Sequence, residues 1–194
     1  MNKDPFLYRL FRPTISIVFK VVFNPTIENK ELIPKEGAVI LAGNHRHALD
    51  PILVDCSTKR TVHTLAKKEL HDGAFGWFFK EVGTIPVDRE KSKNKDALNT
   101  SVTFLKEGCI INLSPEGKRN RTQEILLPFK YGAVVMAKRT GTKIIPYSIV
   151  GDYKFRSKNL KITYDEPIDV SQLDVEDANE ELYSKVRKLV IKNR

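Results

Sequence analysis

The sequence predicts an α/β domain, a single mixed β-sheet flanked by helices and preceded by an amphipathic N-terminal helical segment. Three observations predict it. From Gly37 onward, short runs rich in Val, Ile and Leu alternate with segments of helical period, the pattern of strands covered by helices on a shared sheet. The chain has 194 residues, which at about 100 to 200 residues per domain makes a single core. Residues 1–24 differ from the rest in being densely apolar with scattered basic residues, and they form an N-terminal helical unit ahead of the α/β domain at 25–194.

In the first unit, DPFLYRLFRPTISIVFKVVFNP, the residues Arg9, Arg12, Pro13, Ser16 and Lys20 interrupt the apolar run. It therefore falls short of the roughly 20 predominantly apolar residues that a spanning helix needs. No small-residue cleavage site is present and Asn24-Pro25 follows directly, which argues against a secretory signal. Asp4-Pro5 reads as a cap and first helical position, and Pro13 as the opening of a second helix, so two short helices ending before Pro25 are expected. Arg12, Ser16 and Lys20 make a thin polar stripe, with Ile15, Ile17, Val18, Phe19, Val21, Val22 and Phe23 around the rest. Such a helix either packs in a core or lies in a membrane interface. Lys3, Arg9, Arg12 and Lys20 suit an anionic leaflet at about 1 kcal/mol each.

The remaining elements follow in order. AVILAGN reads as a buried strand, Asp50-Pro51 opens a short helix through Cys56, and VHTLA is a second strand. GAFGWFFKEV is a helix or an aromatic-rich turn, and GTIPVD a third strand. Asn94 to Glu107 carries Leu98, Val102 and Leu105 at i, i+4 and i+7 and is stopped by Gly108, the pattern of an amphipathic helix. CIINLS is a strand, Lys130 to Arg139 a helix ended by Gly141, and KIIPYSIVG and NLKITYDEPI two more strands. A last helix from Glu176 has Leu182, Val186, Leu189 and Val190 on one face, with acids early and lysines late, as the helix dipole prefers. Ligands of such sheets sit at the carboxyl ends of the strands.

Lys plus Arg number 33 against 24 Asp plus Glu, a formal net charge of +9, which favours anionic partners. Nucleic acid, phosphorylated metabolites and acidic lipid all qualify. The aromatics lie in apolar runs such as GWFF and VVF, not interleaved with Lys and Arg as a nucleic-acid surface requires. Ten Gly and ten Pro without a repeat or biased tract exclude collagen-like and largely disordered chains. Cys56 and Cys109 sit beside apolar residues; two cysteines are too few for a zinc cage or a disulfide framework, and both are expected as buried thiols.

Chemistry concentrates in NHRHALDP, where His45 and Asp50 flank a strand-to-helix turn. A carboxylate bonded to one ring nitrogen fixes the tautomer and frees the other nitrogen to take a proton. Asp50 before Pro51 is also a good N-cap, and one carboxylate has oxygens for both tasks. A metal set from His45, His47 and Asp50 lacks the H-E-x-x-H pattern or a second histidine pair. No G-x-S-x-G elbow exists, and Ser114 has no neighbouring base in sequence, so His45 as a base would act on a substrate hydroxyl. GTIPVDR ends on Arg89, and SPEGKRNR carries Lys118, Arg119 and Arg121 beside Glu116, both suited to phosphate. Neither a P-loop nor a G-x-G-x-x-G is present, which argues against a nucleotide cofactor.

The order NHRHALD, GTIPVDR, SPEGKR and IIPYSI, spread from Leu32 to Val150, resembles the glycerolipid acyltransferase family, and within it the bacterial 1-acyl-sn-glycerol-3-phosphate acyltransferases. The resemblance implies His45 as general base and Asp50 as its partner in a His-x4-Asp spacing. It implies a substrate-binding set of Asn44, Lys67 or Lys68, Arg89, Glu116, Gly117, Lys118 and Arg119, with Arg89 and Arg119 on the acceptor phosphate and Pro146 on the acyl-chain side. His47, Ser114, Lys118 and Asn120 depart from residues common in the family, without touching the dyad. The implied reaction is direct acyl transfer from an acyl carrier protein or coenzyme A thioester to the 2-hydroxyl of lysophosphatidic acid, with no other cofactor and no metal. The implied location is the cytoplasmic face of the cell membrane, peripheral or monotopic, on an anionic surface. Glycerol 3-phosphate or another lysolipid as acceptor, and a basic nucleic-acid-binding module, are the competing readings.

Overall fold

All five residues of Val39–Gly43 are buried, as a central strand covered on both faces must be. Around it a computed structural model, describing residues 5–74, 76–88 and 94–194, builds one sheet with helices on both sides. In chain order the elements are α1 (Phe6–Phe23), β1 (Thr26–Glu28), β2 (Val39–Gly43), α2 (Asp50–Asp55), β3 (Val62–Lys67), α3 (Lys68–Asp72) and α4 (Gly76–Glu81). They continue with β4 (Ile85–Val87), α5 (Lys95–Lys106), β5 (Ile110–Leu113), α6 (Gly132–Thr140), β6 (Ile144–Val150), β7 (Lys161–Tyr164) and α7 (Val175–Asn193).

The strand order is β1-β7-β6-β2-β5-β3-β4. Strands β6, β2, β5, β3 and β4 run parallel, so their carboxyl ends share one edge of the sheet. β7 runs antiparallel to β6, and β1 parallel to β7, which makes the sheet mixed as expected. The period-2 alternation of a strand splits the core in two. Ile40 and Ala42 face the layer holding Phe104, Leu105, Val134, Met136, Leu182 and Val186 of α5, α6 and α7. Val39 and Leu41 face the layer holding Phe19 of α1 and Leu53 and Val54 of α2.

The N-terminal segment is one helix, not two. Pro13 lies inside α1 and forfeits the bond its N–H would have given to the Arg9 carbonyl. Anchors on both sides of it keep the halves in line: the Tyr8 hydroxyl donates to Asp55 Oδ1 at 3.1 Å, Arg12 donates to the Asp55 carbonyl at 2.8 Å, and Phe19 is buried in the core. Asn24 closes the helix in the left-handed conformation, its N–H bonded to the Lys20 carbonyl. Core packing uses only this inner strip. Phe6 (69% exposed), Ile17 (65%) and Val21 (62%), with Leu10, Phe11, Ile15 and Val18, face outward. Among the described residues no helix is long and apolar enough to cross a membrane.

Smaller differences have local causes. Cys56 is buried, but Cys109 is only half-buried, because it precedes β5 at the edge beside the exposed turn residue Glu107. α6 begins at Gly132 rather than Lys130, with Tyr131 as its N-cap, and the Lys130 N–H donates to the Pro115 carbonyl. GWFFKE is helical, as α4. The short β1 and α3 carry too few residues for any period to show.

Candidate active site

The site is built where β2 ends. A Cβ on Gly43 would fall 2.4 Å from the Tyr147 ring on β6, so only glycine allows the two strands to close at this level. Asn44, 2% exposed, then locks the exit of the strand: its Nδ2 donates to the Ile149 carbonyl at 2.8 Å and its Oδ1 accepts the Ile149 N–H at 2.7 Å. Asn44 is therefore a strut between β2 and β6.

His45 follows with its side chain 18% exposed, and Asp50 lies beneath it at 3%. His45 Nδ1 is 2.8 Å from Asp50 Oδ2. A carboxylate can only accept, so Nδ1 carries the proton and Nε2 is left bare. The backbone N–H groups of Arg46 and His47 also reach Asp50 Oδ2, each at 2.8 Å. Oδ1 accepts the Tyr153 hydroxyl at 2.6 Å. The capping alternative resolves in an unexpected direction: Leu49 is the N-cap of α2, and the Asp50 carboxylate points back to cap the turn before it.

The third motif supports His45 from behind. Glu116, 3% exposed, accepts the His45 N–H on Oε1 and the Leu127 N–H on Oε2, both at 2.8 Å. Burial pushes its carboxyl above the usual range, and the two N–H groups pull it back down. The Asn120 N–H donates to the His45 carbonyl at 2.7 Å. Both backbone polar groups of His45 are thus held by the loop after β5, with Glu116 as a strut between that loop and His45. Gly117 turns this loop at φ +68°, and a Cβ there would lie 3.0 Å from the Lys130 side chain.

The described basic candidates follow the carboxyl ends of β3 and β5, at the same edge of the sheet. Lys118, Arg119 and Arg121 are exposed on the loop beyond Glu116. Lys67 ends β3 in register with Val87, the last residue of β4, and pairs with Glu69 at 2.7 Å. Lys68 opens α3 and is exposed. Arg89 lies outside the described residues, two positions beyond the end of β4. Pro146 is set within the sheet on β6, opposite Ala42 and just below the Gly43 level. His63 and His71 are engaged elsewhere, with the Gly83 carbonyl and Thr84. Among the described residues no three His, Cys, Asp or Glu side chains converge as a metal set.

Tyr153 belongs to the site and carried no motif. Its sole signal in the sequence is its position just past the carboxyl end of a strand beside β2, where the sheet places ligands. Chemically, the arrangement offers a bare imidazole nitrogen backed by a buried, fully bonded carboxylate, with cations on the neighbouring strand ends.

Comparison with known proteins gives this geometry a family. The sequence model described as Acyltransferase matches residues 24–150. The 1-acyl-sn-glycerol-3-phosphate acyltransferase of Bacillus subtilis is 26% identical over 168 residues, which are 84% of this chain and 82% of that protein. That of Borreliella burgdorferi is 32% identical over 136 residues, 69% of this chain and 54% of that protein, so this chain spans about half its length. The crystal structure of the 1-acyl-sn-glycerophosphate (LPA) acyltransferase PlsC from Thermotoga maritima has the same fold, with a TM-score of 0.76 at 23% identity over 97% of this chain and 79% of that one. With the family pattern running through more than half of its length, including the turn that holds His45 and Asp50, the protein belongs to the acyltransferase family of enzymes.

Proposed function

We propose that this acyltransferase moves an acyl chain from a thioester to the 2-hydroxyl of 1-acyl-sn-glycerol 3-phosphate, giving phosphatidic acid. The observation that carries the reading is the 2.8 Å contact between His45 Nδ1 and the buried Asp50 carboxylate, which leaves Nε2 as a base at the ligand edge of the sheet. The acceptor follows from the names of the relatives and from the cations around that edge.

His45 Nε2 takes the proton of the acceptor hydroxyl as its oxygen attacks the thioester carbon. Asp50 stabilises the imidazolium so formed without itself taking the proton. The carbon–sulfur bond then breaks, the carbonyl reforms, and the thiolate leaves with the proton from Nε2. Backbone N–H groups of the loop after β5 would steady the oxyanion. The thioester is already activated, so the step balances without metal or ATP. Arg89, Lys118, Arg119 and one of Lys67 and Lys68 hold the acceptor phosphate, which sets its hydroxyl against Nε2. Asn44, Glu116 and Gly117 keep the loops that frame the pocket in place, and Pro146 shapes the acyl side.

Residues 1–24 serve as the membrane element and 25–194 as the catalytic body. The exposed apolar side of α1 would enter the boundary of an anionic leaflet on the cytoplasmic face, from which the acceptor is drawn and to which the two-tailed product returns. Acyl carrier protein and coenzyme A are both anionic carriers suited to the rim at Lys118, Arg119 and Arg121. The test is product formation in vesicles from lysophosphatidic acid, glycerol 3-phosphate and other lysolipids side by side. Phosphatidic acid formed fastest supports the reading; a faster reaction with another acceptor replaces it.

A further inference from the structure

The side chain of Tyr153 links α1 to the dyad. Tyr153 lies in the loop after β6 and donates its hydroxyl to Asp50 Oδ1 at 2.6 Å. Its ring meets Phe23 edge-on at 5.8 Å and 81°, and Phe19 at 6.2 Å and 71°. It also stacks on His47 at 4.5 Å and 23°. The same loop is pinned to the end of α1 by the Arg156 N–H, which donates to the Val22 carbonyl at 2.6 Å. Tyr8 and Arg12 of α1 hold Asp55. The N-terminal helix thus reaches both ends of α2, the six-residue helix whose first residue is Asp50.

We propose that Tyr153 is a positioning residue through which the seat of α1 on the domain sets the Asp50 carboxylate, and through it the His45 base. The proposal rests on the reading of His45 and Asp50 as the acid–base pair of acyl transfer. Asp50 Oδ2 is shared by His45 and two backbone N–H groups; the hydroxyl on Oδ1 stops the carboxylate from rotating and draws charge away from Oδ2. Burial, then the charge of Asp50, pushes the phenol far above its ordinary value, so it remains a donor at every working pH. Without that donor the carboxylate can turn and its charge concentrates on Oδ2, which changes the balance between the neutral pair and the ion pair and so displaces the acid limb of the rate profile upward. The other titratable or charged groups around the pair are Arg46 and His47 from the same turn, Glu116 from the loop after β5, and Tyr147 from β6. Tyr153 joins this set to α1, whose outer side is the surface proposed to meet lipid.

The experiment compares wild type, Tyr153→Phe, Phe23→Ala, their double variant and Asp50→Asn. Each is assayed with lysophosphatidic acid in phosphatidylethanolamine–phosphatidylglycerol vesicles, with palmitoyl-coenzyme A and palmitoyl-acyl carrier protein as parallel donors. Tyr153→Phe keeps the ring but frees the Asp50 carboxylate to turn, so His45 Nε2 is less often aligned with the acceptor hydroxyl, and this lost alignment should lower kcat about tenfold or more. KM for lysophosphatidic acid stays within about twofold, and the acid limb of the kcat/KM profile moves to higher pH. Phe23→Ala, which unseats the ring without touching the hydroxyl, moves the limb the same way, and the double variant adds little to Tyr153→Phe. Wild-type kcat and an unmoved limb in Tyr153→Phe, beside an inactive Asp50→Asn, overturn the proposal and leave the dyad standing. Fully additive losses in the double variant overturn the link to α1. An Asp50→Asn variant as active as wild type overturns the dyad reading, and the proposal with it.

Discussion

Replacing Asp50 by Asn separates the charge of the dyad from its geometry. An asparagine oxygen in the Oδ2 position still accepts from His45 Nδ1 and from the Arg46 and His47 N–H groups. Its NH2 then falls where Oδ1 stood, and the Tyr153 hydroxyl, 2.6 Å away, can turn to accept instead of donate. The turn keeps its bonds, so the fold and the His45 tautomer survive. What disappears is the carboxylate charge beneath the imidazolium. At an effective dielectric near 20, two charges about 4 Å apart interact by about 4 kcal/mol, and each 1.36 kcal/mol is tenfold in rate, so kcat should fall about a thousandfold. KM for the acceptor should change little, because the charge matters only once the proton has moved. The assay is initial-rate acyl transfer in lipid vesicles, with thermal unfolding measured beside it. A folded Asp50→Asn variant with kcat within about tenfold of wild type would refute the electrostatic role given to Asp50.

Three further outcomes are expected. Ile17→Asp with Val21→Asp places two charges on the exposed side of α1 and should abolish most sedimentation with anionic vesicles while leaving the melting temperature unchanged; undiminished sedimentation would remove α1 from the membrane contact. Burial beneath α1 pushes Asp55 up to about 7, against the lowering pull of the Tyr8 hydrogen bond and of Arg12. The unfolded carboxyl titrates near 3.9, roughly its ordinary value, so the folded state retains a proton that the unfolded chain has lost between these values. The stability from this group is complete below the lower value and is lost as pH rises through about 7. Denaturant midpoints should therefore decline over that window in wild type and decline less in Asp55→Asn; parallel profiles would contradict it. Glu116→Gln leaves one of two buried N–H groups facing an NH2 and should cost about 1–3 kcal/mol of stability, seen as an earlier urea midpoint; an unchanged midpoint would show that the strut carries no load.

The longer strands and the His45–Asp50 contact were legible in the sequence because each has a local cause. AVILAG is apolar at every position and can only be a covered strand, and His45 and Asp50 are brought together by one turn, so their spacing foretells their contact. Asn94 and Glu107 bracket α5 as its caps, as the Leu98, Val102 and Leu105 period implied. What could not be read depends on partners distant in sequence. Pro13 reads as a helix start, and anchors on Asp55, Cys56 and the core beneath Phe19 keep α1 whole across it. Tyr153 is 103 residues from the carboxylate it serves. The hydrogen bonds of Asn44 and Glu116, expected as substrate-binding residues, run to Ile149, His45 and Leu127, contacts that no short motif encodes. β1 has three residues and exists because β7 offers it an edge.

The central claim is that His45 Nε2 is the base of an acyl transfer to a lysolipid hydroxyl. Its most direct test is the rate of phosphatidic acid formation from lysophosphatidic acid and an acyl thioester by vesicle-bound wild type and His45→Ala. The account predicts product from the wild type and a loss of about 10²- to 10⁴-fold in a variant that still folds and binds vesicles. Equal rates from the two proteins would contradict it.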